Sequence, residues 1–243
     1  MTYCVGLKLN RGLLFMSDTR TNAGVDNISK YRKMFSWSRP GERWLTLMTS
    51  GNLATTQAVV SLLDEQAKSP GGASLLDAPT VFQAARLVGD VLREAIRTTT
   101  GEAAPDSESK FGATLILGGQ IKGSEPRLFL IYPEGNFIEA TSETPFYQTG
   151  ETKYGRPILI RTYAADMTFE DAVRLLLISF DSTIKANLSV GLPLDLQILP
   201  KDAFRPSHEK RIEADDPYYR AVSRGWDDAL KAAFHALPAY RMD

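Results

Sequence analysis

Sulfur and imidazole are the scarcest chemistry in this 243-residue chain, which carries one cysteine and two histidines. A single cysteine, Cys4, excludes an intrachain disulfide and suits a reducing cytoplasm. His208 and His235 fall near the C-terminal end and no Cys/His spacing makes a zinc site, so neither a metal nor another cofactor is expected. A serine–histidine–carboxylate triad would have to draw its base from those same two residues, which read better as surface groups. Strong charge of either sign is also missing. Lys and Arg number 28 against 29 Asp and Glu, a net charge of −1 that steers the chain toward neither nucleic acid nor an anionic membrane. No apolar run is long enough to span a bilayer. The start Met1-Thr2-Tyr3-Cys4 lacks the basic residues and hydrophobic stretch of a secretory signal, so a cytoplasmic location is expected. Gly118-Gly119 has no P-loop lysine and no following helix, which removes phosphate binding.

What is present is a clear alternation of strand and helix patterns. Residues 2–9 and 12–18 read as a hairpin turning at Asn10-Arg11-Gly12, and 34–38 with 43–49 as a second pair broken at Arg39-Pro40-Gly41. A helix is expected from Leu53 to Ala67, with Val59, Leu62 and Leu63 on one face, stopped by Ser69-Pro70-Gly71-Gly72. Another begins near Thr80, where Phe82, Ala85, Leu92 and Ile96 follow the 3.6-residue period. Gly101 to Asp106 reads as a polar loop. Strands are expected near 111–121, 126–132 and 136–140, helices over 152–164 and 168–186, and a late strand from Leu194 to Leu199. Strand runs separated by helix pairs are not the steady alternation of a parallel doubly wound sheet; they suggest two antiparallel sheets packed face to face, with helices outside each. Residues 1–200 are expected to form this domain and 201–243 a C-terminal extension, with a terminal helix starting at Asp216-Pro217.

The chemistry concentrates at the beginning. Removing Met1 would leave Thr2 with a hydroxyl and a free α-amine, a nucleophile and its own base in one residue. An α-amine titrates at about 7.7–8.0 when unperturbed, so a modest downward push leaves it neutral near pH 7. Lys33, just before Met34-Phe35, supplies a cation to disfavour protonation. Asp18, at the end of Leu13-Leu14-Phe15-Met16, would hold that lysine charged and in place. Cys4 beside them reads as a small buried residue of the first strand.

The stretch Thr2-Tyr3-Cys4-Val5-Gly6, then Phe15-Met16-Ser17-Asp18-Thr19-Arg20, then Lys33-Met34-Phe35 resembles the opening of proteasome β-type subunits and their bacterial relatives. Met48-Thr49-Ser50-Gly51-Asn52 is similar to the family's turn into its first helix, Tyr147-Gln148-Thr149-Gly150 to its Gly-Ser-rich turn, and Asn187-Leu188-Ser189-Val190-Gly191 to the segment before a late strand. The similarity covers roughly residues 2–200 and is most specific in the first fifty.

That resemblance implies an α+β fold, the four-layer αββα architecture of N-terminal nucleophile hydrolases with a C-terminal helical extension added. It implies catalysis by Thr2, Asp18 and Lys33, with oxyanion donors from the backbone of Met48 and Gly51. Met48 stands nearest where the family has a glycine, so its side chain is expected to reshape the pocket. Glu151 replaces a serine of the family's supporting shell, Asn187 replaces an aspartate, and Ser189 or Val190 takes the place of a late serine. Thr19 to Asn22, with Arg20, Thr21 and Asn22 named as substrate-binding, corresponds to the segment along which the family lays a peptide as an added strand. The implied activity is hydrolysis of amide, chiefly peptide, bonds with a narrow substrate range. The alternatives are a catalytically silent structural subunit and an amidase for small molecules. A homo-oligomer built through the helical layers and the aromatic terminal helix (Tyr218, Tyr219, Trp226) is implied as well; a regulatory ATPase is not readable.

Overall fold

Apolar alternation along the first eighteen residues folds into a hairpin whose side chains are nearly all buried. Strands β1 (Tyr3–Leu9) and β2 (Gly12–Asp18) pair in the expected register, Leu9 opposite Gly12 and Cys4 opposite Ser17. The computed structural model describes residues 2–22, 28–69, 73–100 and 111–242, with the side chains of Asn22, Ile28 and Thr100 outside that description. Met1 and the polar loop expected at Gly101–Asp106 lie outside the described residues.

After β3 (Arg20–Asn22) and β4 (Ile28–Lys30) come β5 (Met34–Arg39) and β6 (Arg43–Gly51), then helices α1 (Leu53–Lys68) and α2 (Val81–Thr100). Strands β7 (Ala113–Ile121), β8 (Arg127–Ile131), β9 (Phe137–Glu139) and β10 (Phe146–Gly150) precede α3 (Arg156–Thr162) and α4 (Phe169–Ala186). Next are β11 (Leu194–Pro200), β12 (His208–Ile212) and α5 (Pro217–Ala236). One antiparallel sheet runs β10-β1-β2-β11-β12 and the other β5-β6-β7-β8-β9, while β3 and β4 form a separate two-stranded ribbon.

Three hydrophobic clusters define the layers. Cys4, Phe15, Met34, Met48, Ile116 and Leu128 fill the space between the two sheets. Val59, Leu63, Val88 and Leu92 join α1 and α2 to Leu45, Leu117 and Phe129 of one sheet. Leu159, Leu176 and Phe180 join α3 and α4 to Tyr3, Val5 and Leu196 of the other. The result is the αββα arrangement expected from the sequence. Close approach between layers requires glycine at some positions. A Cβ on Gly118 would lie 2.7 Å from the Phe15 ring across the sheet interface.

Boundaries differ from expectation where tertiary contacts override the local pattern. The helix expected over 152–164 forms only at Arg156–Thr162, with Gly155 at its N-cap and Pro157 in its first turn; Gly155 passes against the Tyr3 and Ser179 hydroxyls, too close for any Cβ. Strands β3, β4, β10 and β12 were not read from the sequence. Helix α5 starts at Pro217 behind the cap Asp216 and is pinned by buried Tyr219, whose hydroxyl donates to Asp181 at 3.2 Å. Among the described residues no helix is long and apolar enough to cross a membrane.

Candidate active site

The end of the hairpin carries the site. Thr2 immediately precedes β1 and is largely buried, its carbonyl accepting a hydrogen bond from the Glu151 N–H at 2.6 Å. Gly150, at the end of β10, has φ +84, and a side chain there would overlap the Thr2 carbonyl. The next residue anchors the strand from the opposite face. The Tyr3 ring packs on Phe180 at 4.4 Å, and its hydroxyl meets Ser179 at 2.7 Å and accepts from Gln148 at 2.7 Å. Burial pushes the Tyr3 phenol up to about 12, so it remains a neutral hydroxyl.

Asp18 closes β2 with no exposed surface, and its Oδ1 accepts from the Tyr3 N–H at 2.9 Å and the Lys33 ammonium at 2.7 Å. The Lys33 ammonium also donates to the Arg20 carbonyl at 2.6 Å. Burial raises the Asp18 carboxyl above the usual carboxylate range, against the opposing pull of Lys33 and of the Tyr3 and Gly191 backbone N–H groups. Lys33 itself is held by its backbone, its carbonyl accepting from the Thr49 N–H at 2.9 Å. Sequence positions 2, 18 and 33 therefore meet where β1, β2 and the start of β5 converge. Cys4, although adjacent, points into the core between the sheets, and burial pushes its thiol far above the ordinary range. It is chemically inert there.

Thr2, Thr21, Lys33, Ser50, Gly51 and Gly150 line a cleft of about 460 Å³, together with Arg32, Thr49, Leu53 and Thr56. Its placement corrects two expectations. Met48 does not reach the cleft: strand alternation along β6 turns its fully buried side chain into the core between the sheets, beside Met34 and Cys4. The glycine that β6 brings to the cleft wall is Gly51, three residues on, with φ +109. Arg20 does not offer its side chain to the cleft either. Its guanidinium donates to the Leu188 carbonyl at 2.9 Å and lies against Gly191, where a Cβ would come within 2.6 Å. Arg20 thus braces the α4–β11 loop, and only its carbonyl serves the site. The Asn22 side chain lies outside the description.

Glu151, Asn187 and Ser189 form a chain behind Thr2. The Asn187 amide donates to Glu151 Oε2 at 3.0 Å and its oxygen accepts from the Ser189 N–H at 2.9 Å, while Glu151 Oε1 accepts from the Lys153 N–H at 3.1 Å. Val190 is buried. Sequence reasoning passed over Gly150 as a contact of Thr2, the hydroxyl bridge between Ser50 and Thr149 at the cleft wall, and Arg32 as a cleft residue. The signal for Gly150 was its position after Thr149 at a strand end, obscured because β10 read as a turn. Among the described residues no group of His, Cys, Asp and Glu is placed to hold a metal ion.

Comparison with known proteins fits this geometry. The model of the proteasome subunit family matches residues 2–196. No curated protein matches the chain. Among solved structures, Anbu (ancestral beta-subunit) from Yersinia bercovieri is 47% identical with a TM-score of 0.92, the alignment covering 99% of this chain and 100% of that one. Anbu from Hyphomicrobium sp. strain MC1 is 52% identical with a TM-score of 0.90, covering 99% and 100%. A helical assembly of the Anbu complex from Pseudomonas aeruginosa is 46% identical with a TM-score of 0.93, covering 99% and 98%. With Thr2 and Lys33 lining one cleft, Asp18 buried behind them on Lys33, and a family match over most of its length, the chain belongs to the proteasome subunit family, and it is similar from end to end to the Anbu proteins.

Proposed function

We propose that this chain is a self-assembling N-terminal threonine hydrolase that cleaves amide bonds in a narrow range of peptides. The observation that carries the reading is the shared acceptor Asp18 Oδ1, bound at once by the Tyr3 N–H at 2.9 Å and the Lys33 ammonium at 2.7 Å. It fixes the residue after the nucleophile and the cation that tunes its amine to one buried atom. With Met1 removed, the Thr2 hydroxyl attacks the carbonyl carbon while its proton passes to the α-amine. The backbone N–H of Gly51 is the proposed donor to the developing oxyanion. As the C–N bond breaks, the amine returns that proton to the departing nitrogen, leaving an ester on Thr2. Water then attacks the ester, giving its proton to the same amine, and frees acid and hydroxyl.

Peptide is favoured as substrate by the ribbon beside the cleft: β3 pairs with β4 on one side only among the described residues, so an extended chain can add along its open edge past Thr21. Glu151 supports a narrow activity. Its backbone N–H holds the Thr2 carbonyl, and a carboxylate that near would raise the pKa of the amine and work against Lys33. The assembly part of the proposal rests on the similarity to the helical Anbu complex and on the exposed apolar side of α5, where Phe234 is 71% exposed.

The test is covalent capture. A peptide vinyl sulfone should add one probe mass to the wild-type protein at Thr2, and Thr2→Ala should take up none. Lys33→Ala should slow labelling by roughly 10²–10⁴-fold. Labelling of Thr2→Ala at the wild-type rate would place the nucleophile elsewhere. A wild-type protein with Thr2 at its N-terminus that never labels would return the chain to the structural-subunit reading.

A further inference from the structure

Deepening the proposed hydrolase reading, we infer that Arg32 selects substrates with an acidic side chain on the acyl side of the scissile bond. Among the described residues, the cleft that contains Thr2 has two cations in its wall, Arg32 and Lys33, and no carboxylate. They are not equivalent. Lys33 is buried and committed to Asp18 and to the Arg20 carbonyl, so its charge is balanced within the protein. Arg32 is exposed, and its guanidinium forms no ion pair among the described residues. Its Nε donates to the Met34 carbonyl and its guanidinium carbon lies 5.5 Å from the centre of the Phe35 ring. Those two contacts fix the plane and, among the described residues, leave the terminal nitrogens for a ligand.

The cleft continues past Arg32 into a hollow of about 380 Å³ under α1, which shares Arg32, Thr49, Leu53 and Thr56 with it and adds Gln57 and Ser61. No carboxylate among the described residues lines this hollow either. Hydroxyls, the Gln57 amide and the apolar Phe35, Leu53 and Val60 wall this hollow, and its one described charge is the Arg32 guanidinium, which matches an oxygen acid and repels a lysine or arginine side chain. Because the hollow joins the cleft that holds Thr2, the side chain entering it belongs to the residue whose carbonyl Thr2 attacks. A glutamate there can reach the planar fork of Arg32; a leucine gains only contact with Leu53 and Val60 at the hollow's wall.

The experiment uses three peptide vinyl sulfones that differ only in the residue next to the electrophile: glutamate, leucine or lysine. In each, the Thr2 oxygen adds to the β-carbon of the vinyl group and its proton ends on the α-carbon, so the reaction is complete without a leaving group. The second-order rate of mass gain is read for each probe. The glutamate probe should exceed the leucine probe by roughly 10- to 100-fold, the range a charge-assisted hydrogen bond supplies, with the lysine probe slowest. In Arg32→Ala the glutamate-to-leucine ratio should fall toward one, and in Arg32→Glu the lysine probe should overtake the glutamate probe. A loosened cleft would slow all three together and would not invert their order. Equal rates for glutamate and leucine on the wild type, or an unchanged ratio in Arg32→Ala, overturns the role of Arg32 while leaving Thr2 as nucleophile. Failure of all three to label overturns both.

Discussion

A charge pair as deeply buried as Asp18 and Lys33 is retained for what it positions rather than for the stability it adds. Removing one partner strands the other, so Asp18→Asn and Lys33→Met should each destabilise the protein by about 3–5 kcal/mol, whereas the double variant should recover most of that loss in urea unfolding. Recovery fails if the two residues act independently. The pH dependence follows from the direction of the Asp18 shift. Its folded carboxyl holds a proton more tightly than the unfolded one, so its contribution is fully present below the unfolded value of about 3.9 and is lost as pH rises through the raised folded value. The stability of the wild type relative to the double variant should therefore decline as pH rises above about 4. At this scale the site was legible where chemistry is local: a threonine at position 2, a carboxylate ending an apolar run, a lysine opening a strand. It was illegible where the face of a strand decides. Met48 and Gly51 are three apart, yet one falls in the core and the other on the cleft, and that parity is set by pairing to β5 and β7. Arg20 was misread for a related reason, since its partner Gly191 is distant in sequence and the contact exists only once β2 and β11 are joined.

Among the elements, those with strong periodicity appear close to their expected bounds, and those made by their neighbours do not. Strand β12 offers His208, Glu209, Lys210 and Arg211 outward with only Ile212 buried, a pattern that reads as loop and becomes strand by pairing with β11. Charged residues along that edge discourage pairing with another sheet. Phe82, read as an inward residue of α2, is half exposed and instead stacks edge-on with Phe137 at 5.3 Å. The contact between α2 and the β8–β9 turn rests on glycine against glycine. A Cβ on Gly89 would collide with the Gly135 carbonyl, a backbone atom that cannot rotate away. Two effects oppose each other in Gly89→Ala. Helix propensity favours alanine by about 0.8–1.0 kcal/mol, while overpacking costs about 1–3 kcal/mol. The expected outcome is a net loss of about 1 kcal/mol in chemical denaturation. A stabilised variant would show that the turn can shift.

At the scale of the whole molecule, three clusters account for the layers, and the feature left over is the far end of α5. Tyr219, hydrogen-bonded to Asp181, and the ion pair of Lys185 with Asp227 at 2.8 Å fasten its first half to α4. Beyond them Leu230, Phe234, Leu237, Tyr240 and Met242 face outward. Truncation after Ala236 leaves the helix and its anchor intact while removing Leu237, Tyr240 and Met242, and it should lower the particle mass measured by light scattering. An unchanged mass would show that the tail does not join copies. The four-layer body was legible from the order of strands and helices, but what covers this apolar end is not encoded in any pattern internal to one chain. If a second copy covers it, the native state is the associated one and mass action enters its free energy. The melting temperature would then climb with protein concentration, and dilution alone would act as a mild denaturant.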